Sequence, residues 1–187
     1  MTRRYNLNAT PPNALRRPHL ACDDAWVAAF LAQAEVGSVA TRWDAQPFIT
    51  PTTFWYDPEK AEIYFHSNIT GRLRANVERH PEACFSAFRS GRLLPSNVAL
   101  EFSIQYESVA VFGQLRILQE PDESRRALDG LLRKYFPALR PGEHYRPITA
   151  GELKRTAVYA LAIESWSGKR NWPEAADQSP DWPALEV

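Results

Sequence analysis

Residues 61–81 read AEIYFHSNITGRLRANVERHP, and this order of residue types predicts a strand, a turn and a helix in succession. Side chains alternate along the first part, which predicts a strand with two sets on opposite faces: Ile63 and Phe65 against Glu62, Tyr64 and His66. A Ser-Asn pair ends the strand, a Thr-Gly pair opens the helix, and the final proline stops it.

The turn between this strand and this helix has the composition of an anion site. Ser67 and Asn68 are residue types that bond their own backbone in turns, and Gly71 precedes Arg72 at the start of the predicted helix, 72–78. Free N–H groups, the helix dipole and a guanidinium would then meet at one point, which suits a phosphate. The other interpretation is an ordinary strand–turn–helix whose hydroxyls are caps and whose arginine is solvated. We call residues 67–72 the anion cradle.

The composition predicts a cytoplasmic protein without a nucleic-acid or membrane partner. Lys+Arg and Asp+Glu number 22 each, so no overall field draws the 187-residue chain to either surface. The two cysteines, Cys22 and Cys84, have no metal or redox spacing, and no apolar segment reads as a signal peptide or a membrane span. A local group of arginines favours a small anionic ligand: Arg72, Arg74, Arg79, Arg89 and Arg92.

The strand pattern indicates a mainly β protein. Strands are predicted over residues 38–43, 46–56, 61–67, 82–90, 107–118 and 158–166. Pro51 places the second of them at a sheet edge or a bulge, and residues 91–100 are predicted as a loop. Because the strands come in runs, an antiparallel sheet or barrel with peripheral helices is expected.

Helices and terminal segments surround this β region. Helices are predicted from Asp23 or Asp24 to Gly37, over 72–78, over 121–135 and over 150–155. Residues 1–20 are predicted to form an N-terminal arm and residues 21–170 one domain. The tail, residues 171–187, carries two tryptophans and is expected to dock on the domain or on a partner subunit.

The candidate site is a polar set rather than a catalytic motif. The sequence has no Gly-rich phosphate loop, GxSxG, HExxH or CxxC, and its four histidines are scattered, so no metal site is predicted. What remains is Thr50 and Thr52 on one strand face, His66 on the next strand, and the ring and cation of Trp166 and Lys169. Such a set suits a planar cofactor with a phosphate tail. We expect His66 to face the two threonines if their strands pair.

Four segments in this order resemble the FMN-binding split barrels, the superfamily of pyridoxamine 5'-phosphate oxidase. They are VGSVATRWDAQPFITPTTFWYD (36–57), IYFHSNITGRLRANVERHPEACFSAF (63–88), SVAVFGQLRIL (108–118) and ESWSGKRNW (164–172). The resemblance covers roughly residues 24–171 and is strongest to the nitroimidazole-resistance (Nim-type) proteins, which pair a strand ending in His with a turn and Gly-Lys or Gly-Arg.

The resemblance implies a six-stranded antiparallel split barrel that forms a homodimer, with FMN in grooves at the subunit interface. Residues of the first half would contact the flavin or its phosphate: Thr50, Pro51, Thr52, His66, Ser67, Asn68, Gly71, Arg72 and Leu73. Ser108 stands where the oxidases often place a Gln that reaches FMN. Trp166 and Lys169 stand near a C-terminal Trp that approaches the flavin from the other subunit.

The resemblance also implies an activity, flavin-dependent reduction of a small substrate such as a nitroaromatic. His66 would lie nearest the chemistry as proton donor or as the site of a ligand adduct, or would simply form the pocket wall. Vitamin B6 oxidation is not expected, because FITPTT (48–53) lacks the Arg and Lys of those oxidases and their C-terminal Arg-Leu-His is missing. A flavin-binding or sensing module without turnover, and a split barrel that holds deazaflavin or haem, remain open alternatives.

Overall fold

One antiparallel sheet forms the centre of the computed structural model, which describes residue 6 and residues 9–185. Its strands are β1 (Ala21–Cys22), β2 (Val36–Trp43), β3 (Gln46–Thr53), β4 (Trp55–Asp57), β5 (Glu62–Asn68), β6 (Glu82–Leu94), β7 (Ser103–Ile117) and β8 (Thr156–Asn171). They lie in the order β3-β2-β6-β7-β8-β5-β4, with β1 added on β8. The mainly β antiparallel architecture is thus as predicted.

Four α-helices lie around the sheet in the described residues, beside two short 3₁₀ helices at Pro18–Leu20 and Ala99–Glu101: α1 (Asp24–Gln33), α2 (Arg72–Arg79), α3 (Pro121–Tyr135) and α4 (Ala150–Leu153). Asp23 caps α1 by accepting a hydrogen bond from the Trp26 backbone N–H at 2.8 Å. No helix of the described part has both the length and the apolar character needed to cross a bilayer.

The strand count differs from the predicted six because the chain breaks one strand into two. The segment predicted as a single strand over 46–56 is interrupted at Phe54, so β3 pairs with β2 at one sheet edge and β4 pairs with β5 at the other. With the short β1, the described residues contain eight strands in a sheet that does not close. Pro51 lies on the edge strand β3, as predicted, where a missing N–H disrupts no ladder.

Both faces of β5 are covered. Ile63 and Phe65 are fully buried in the main core, where the Phe65 ring stacks on Tyr159 with centroids 5.1 Å apart. Tyr64, on the opposite face, is also fully buried, in a smaller core beneath α3. The alternation of the sequence is therefore correct, but it separates two apolar cores rather than core from solvent.

Several element boundaries differ from the sequence prediction because strand pairing extends the strands. Helix α1 ends at Gln33, and Gly37 lies inside β2, where an added Cβ would be only 2.1 Å from Cζ of Phe85. The predicted loop 91–100 is strand as far as Leu94. Both β7 and β8 are longer than predicted, since they pair with each other over most of their length, and β7 also pairs with the long strand β6.

The C-terminal tail packs against the loop that follows β6 in the same chain. The Ser96 hydroxyl donates to the Asp177 carbonyl at 2.6 Å. The Asn97 side chain accepts from the Ser179 N–H at 2.8 Å and donates to the Ser179 carbonyl at 2.9 Å. At the other terminus, the predicted arm lies partly outside the described residues, and Asn13 within it donates to the Trp166 carbonyl at 3.4 Å.

We expect replacement of Tyr135 by phenylalanine to lower the free energy of unfolding by about 1–3 kcal/mol. The Tyr135 hydroxyl accepts from the buried Phe54 N–H at 2.9 Å and lies 3.0 Å from the Phe54 carbonyl. Without the hydroxyl, these backbone groups at the break between β3 and β4 would lose this partner. Urea denaturation of the variant measures the change. Tyr106→Phe is the control, because that hydroxyl makes no hydrogen bond to the described residues. Equal loss in both variants would contradict the assignment.

Candidate functional site

The anion cradle lies where β5 leaves the sheet. Ser67 turns toward the main core, where its hydroxyl lies 3.1 Å from the Tyr159 hydroxyl. The Asn68 side-chain carbonyl accepts from the Thr70 N–H at 3.1 Å, which closes the turn. Gly71 follows with φ 145°, a conformation that favours glycine, and open space surrounds the position of a Cβ there. The turn therefore leaves the start of α2 accessible.

The first turn of α2 offers backbone donors. Gly71 is the N-cap and has no side chain to cap the helix, and the first intrahelical bond runs from Ala75 N to Gly71 O at 3.1 Å. The N–H groups of Arg72, Leu73 and Arg74 consequently lack helical acceptors. The Leu73 side chain is buried in the main core, so only its backbone N–H is available to a ligand.

Arg72 is the arginine of α2 whose charge is available. Within the described residues it has no carboxylate partner, whereas Arg74 pairs with Glu78 at 2.7 Å and Arg79 pairs with Asp44 at 2.7 Å. An aromatic surface supports the Arg72 guanidinium, which lies 4.9 Å from the centroid of the Trp43 ring and 5.7 Å from that of Phe48. This support holds the guanidinium near the helix start.

The predicted ring-contacting residues lie on β3. Thr50 and Thr52 are half-buried on the face that they share with Phe48, as the alternation predicted, and Pro51 is exposed on the other face. The Thr52 hydroxyl donates to the Thr53 carbonyl at 2.9 Å. Because Phe48 also contacts Arg72, this face of β3 runs toward the anion cradle.

His66 does not take the position expected from strand pairing. Its strand pairs with β4 and β8, while the two threonines belong to β3, which pairs with β2, so the expectation that His66 faces Thr50 and Thr52 is wrong. The imidazole instead lines a pocket of about 350 Å³ beneath α3, which we call the His66 pocket. One side of the ring is open to solvent, but the side chains around it remove enough water to lower its pKa.

The remaining predicted residues lie at the far end of β8 and on the adjoining part of β7. Ser108 is the register partner of Lys169, whose Nζ lies 4.9 Å from the centroid of the Tyr106 ring. Trp166 donates through Nε1 to the Asp24 carboxylate at 2.6 Å. The cradle, by contrast, ends β5 opposite the first residue of β8. Trp166 and Lys169 lie about 33 and 43 Å further along this extended strand, and no hydrogen bond, ion pair or ring contact joins the two groups in the described residues of one chain.

Sequence reasoning missed the aromatic rings that lie against Arg72 and the histidine that the leucines of α3 cover. No local pattern connects Trp43 in a hairpin with Arg72 at a helix start, because the packing of α2 against β2 brings them together. Leu128, Leu131 and Leu132 recur at helical spacing within 121–135, but this spacing could not show that they lie over His66.

The comparisons with known proteins agree on a fold. The family model described as "Pyridoxamine 5'-phosphate oxidase" matches residues 23–170. No curated protein matches the chain significantly. The flavocytochrome Anf3 from Azotobacter vinelandii is 24% identical, with a TM-score of 0.75 over 90% of this chain and 76% of that one.

Two further solved structures are similar over most of their length. An FAD and haem binding protein from Mycobacterium smegmatis is 24% identical, with a TM-score of 0.71 over 82% of this chain and 75% of that one. A candidate 5-nitroimidazole antibiotic resistance protein from Bacteroides thetaiotaomicron is 19% identical, with a TM-score of 0.66 over 80% and 85% of the two chains. At these identities the likeness shows the fold.

We expect the His66 imidazole to titrate below the usual histidine value of about 6.5, because nearby side chains, among them leucines of α3, desolvate it. Its contribution to folding stability is then complete above that value and is lost as the pH falls through the folded-state pKa. Proton NMR of the ring, assigned with His66→Gln, measures the midpoint.

Leu132→Ala should admit water and move this midpoint back toward about 6.5. Leu139→Ala, which changes an exposed leucine outside the pocket, is the control and should leave the midpoint unchanged. A parental midpoint at or above the usual value would contradict the pocket's effect.

Proposed function

The chain belongs to the pyridoxamine 5'-phosphate oxidase family of flavin-binding split barrels, and we propose that it binds FMN and uses it to reduce a small uncharged substrate such as a nitroaromatic. The observation that carries this proposal is Arg72, a guanidinium without a carboxylate partner in the described residues, placed at an uncapped helix start. Charge and helix dipole there favour the same phosphate.

The residues present fit the phosphate of FMN. Backbone N–H groups of the first turn of α2 and the Arg72 guanidinium would hold it, and the open surroundings of Gly71 leave room for its oxygens. Thr50, Pro51 and Thr52 on β3 would lie along the ring. Since Trp43 and Phe48 already restrain Arg72, less side-chain freedom is lost when the phosphate binds.

FMN, when bound, supplies the electrons of the reduction. The chain's own contribution would come from His66, one residue before the cradle. Its imidazole has no hydrogen-bond partner among the described residues, and its lowered pKa keeps it neutral with one ring N–H available. The neutral ring would donate this N–H as a hydrogen bond to the reacting group, and only the imidazolium formed at lower pH would give up a proton, a role that contributes about 10²–10⁴-fold to a rate.

A homodimer is part of this proposal because one chain holds only part of the site. Trp166 and Lys169 lie at the end of β8 remote from the cradle, and Ser108 lies beside Lys169 on β7, so a second copy would have to supply them to the flavin. The two free cysteines, Cys22 and Cys84, suit a reducing compartment, and we place the protein in the cytoplasm.

Haem is a second candidate cofactor, favoured by the imidazole of His66, which has no hydrogen-bond partner in the described residues and is open to solvent on one side. Two of the similar structures are described as a flavocytochrome and as an FAD and haem binding protein. A Soret band in the purified protein that His66→Ala removes would favour haem. Flavin that is bound but never reoxidised by any substrate would favour a non-catalytic module.

We expect Arg72→Ala to weaken FMN binding by about ten- to a hundredfold, the loss of one charge-assisted contact. Riboflavin, which lacks the phosphate, should bind both proteins equally. Flavin fluorescence titration measures the four constants. Arg74→Ala is the matched control, because that arginine is on the same helix and pairs with Glu78. An Arg72→Ala protein that binds FMN like the parent would overturn the phosphate assignment.

We expect subunits that carry Arg72→Ala and Lys169→Ala to complement each other. If each site takes Arg72 from one chain and Lys169 from the other, a heterodimer of the two variants retains one intact site. Differently tagged chains, coexpressed and purified through both tags, should bind about one FMN per two chains at a concentration that leaves each variant homodimer empty. An empty heterodimer would contradict the shared site.

A further inference from the structure

The His66 pocket is a second binding region on the opposite face of β5 from the main core. Its volume is about 350 Å³, at the small end of the range for ligand sites. Apolar side chains form much of its wall: Leu128, Leu131 and Leu132 from α3, and Ile148 from the segment that precedes α4. A wall of this kind favours an apolar molecule of about one ring.

The charged groups at the edge of the pocket satisfy one another. Arg146 donates to the Glu152 carboxylate at 2.7 and 3.2 Å, and Glu152 also accepts from the Thr149 N–H at 2.8 Å. These bonds lower the pKa of Glu152 to about 2, so the pair remains ionised and neutral overall. The Thr156 hydroxyl donates to the Glu152 carbonyl at 2.9 Å. No unpaired cation among the lining residues would compensate a buried anion.

His66 differs from these groups because its imidazole, like the Tyr145 hydroxyl in the pocket wall, has no hydrogen-bond partner in the described residues. We propose that the His66 pocket binds an uncharged, mainly apolar single-ring molecule whose one polar group hydrogen-bonds to His66. Only the statement that this molecule is the substrate rests on the proposed function. Its basis is the position of His66, one residue before the anion cradle. Binding itself requires no flavin.

Nitrobenzene and benzoate form a matched pair of probes, because the nitro and carboxylate groups have the same shape and differ in charge. Calorimetric titration of the full-length protein, with and without FMN, should show nitrobenzene binding at least tenfold more tightly than benzoate. Equal affinity for the two probes, or no nitrobenzene binding at millimolar concentration, would overturn the proposal. Nitrobenzene binding to a protein that binds no flavin would support the pocket and refute the flavin function.

Leu132→Trp should fill the pocket and abolish nitrobenzene binding without changing FMN affinity. Leu139→Trp, outside the pocket and on an exposed side chain, is its control and should bind nitrobenzene like the parent. His66→Ala changes a side chain with an open face, and its folding is therefore expected to be intact. It should weaken nitrobenzene binding and leave benzoate unchanged. Parental binding in both Leu132→Trp and His66→Ala would overturn the assignment.

Discussion

The backbone break at Phe54 is the constraint on which the rest of the structure depends. The chain leaves one edge of the sheet at this buried residue and joins the other edge, so the N–H and carbonyl of Phe54 have no ladder partners. Such orphaned groups cost about 1–3 kcal/mol each. The Tyr135 hydroxyl at the end of α3 accepts from the Phe54 N–H at 2.9 Å, and its one proton lies between the carbonyls of Glu35 at 2.5 Å and Phe54 at 3.0 Å. The preceding residue, Lys134, donates to the carbonyls of Leu31 and Ala34 at the end of α1. One helix end therefore holds the break and a second helix together.

A charged network fixes how α3 lies on β5. Arg126 donates to Asp57 at 2.5 Å, and Arg116 donates to Glu62 at 2.9 Å, so both buried carboxylates have cationic partners. The Tyr64 hydroxyl donates to Glu62 and accepts from Arg126, and burial together with the bond to Glu62 raises its pKa, which keeps it protonated. Because a buried charge without its partner is costly, the helix cannot slide along the strand. This places the leucines of α3 over His66.

The end of β5 consequently serves two faces with different chemistry. Ser67 turns toward the main core and begins the anion cradle, while His66 turns toward α3 and an apolar pocket. A strand's two-residue period separates the two environments by a single position. Arg72 belongs to the first environment. There the guanidinium groups of Arg72 and Arg79 both lie over the Trp43 indole, 4.9 and 4.7 Å from the ring centroid. A phosphate and an apolar ring can thus be held side by side on one strand.

The sequence by itself determined the strand–turn–helix of 61–81, the exposed arginine at the helix start, and the antiparallel, mainly β class, because alternation, turn chemistry and helix signals act over a few residues. Only the tertiary structure decided which strand partners β5, that Gly37 belongs to a strand, and that His66 faces α3 rather than Thr50 and Thr52. These outcomes depend on contacts between residues far apart in the chain. The Tyr135 hydroxyl and the ion pairs beneath α3 stabilise this arrangement of strands and helix. Their partners are distant in the chain and cannot be identified from local sequence.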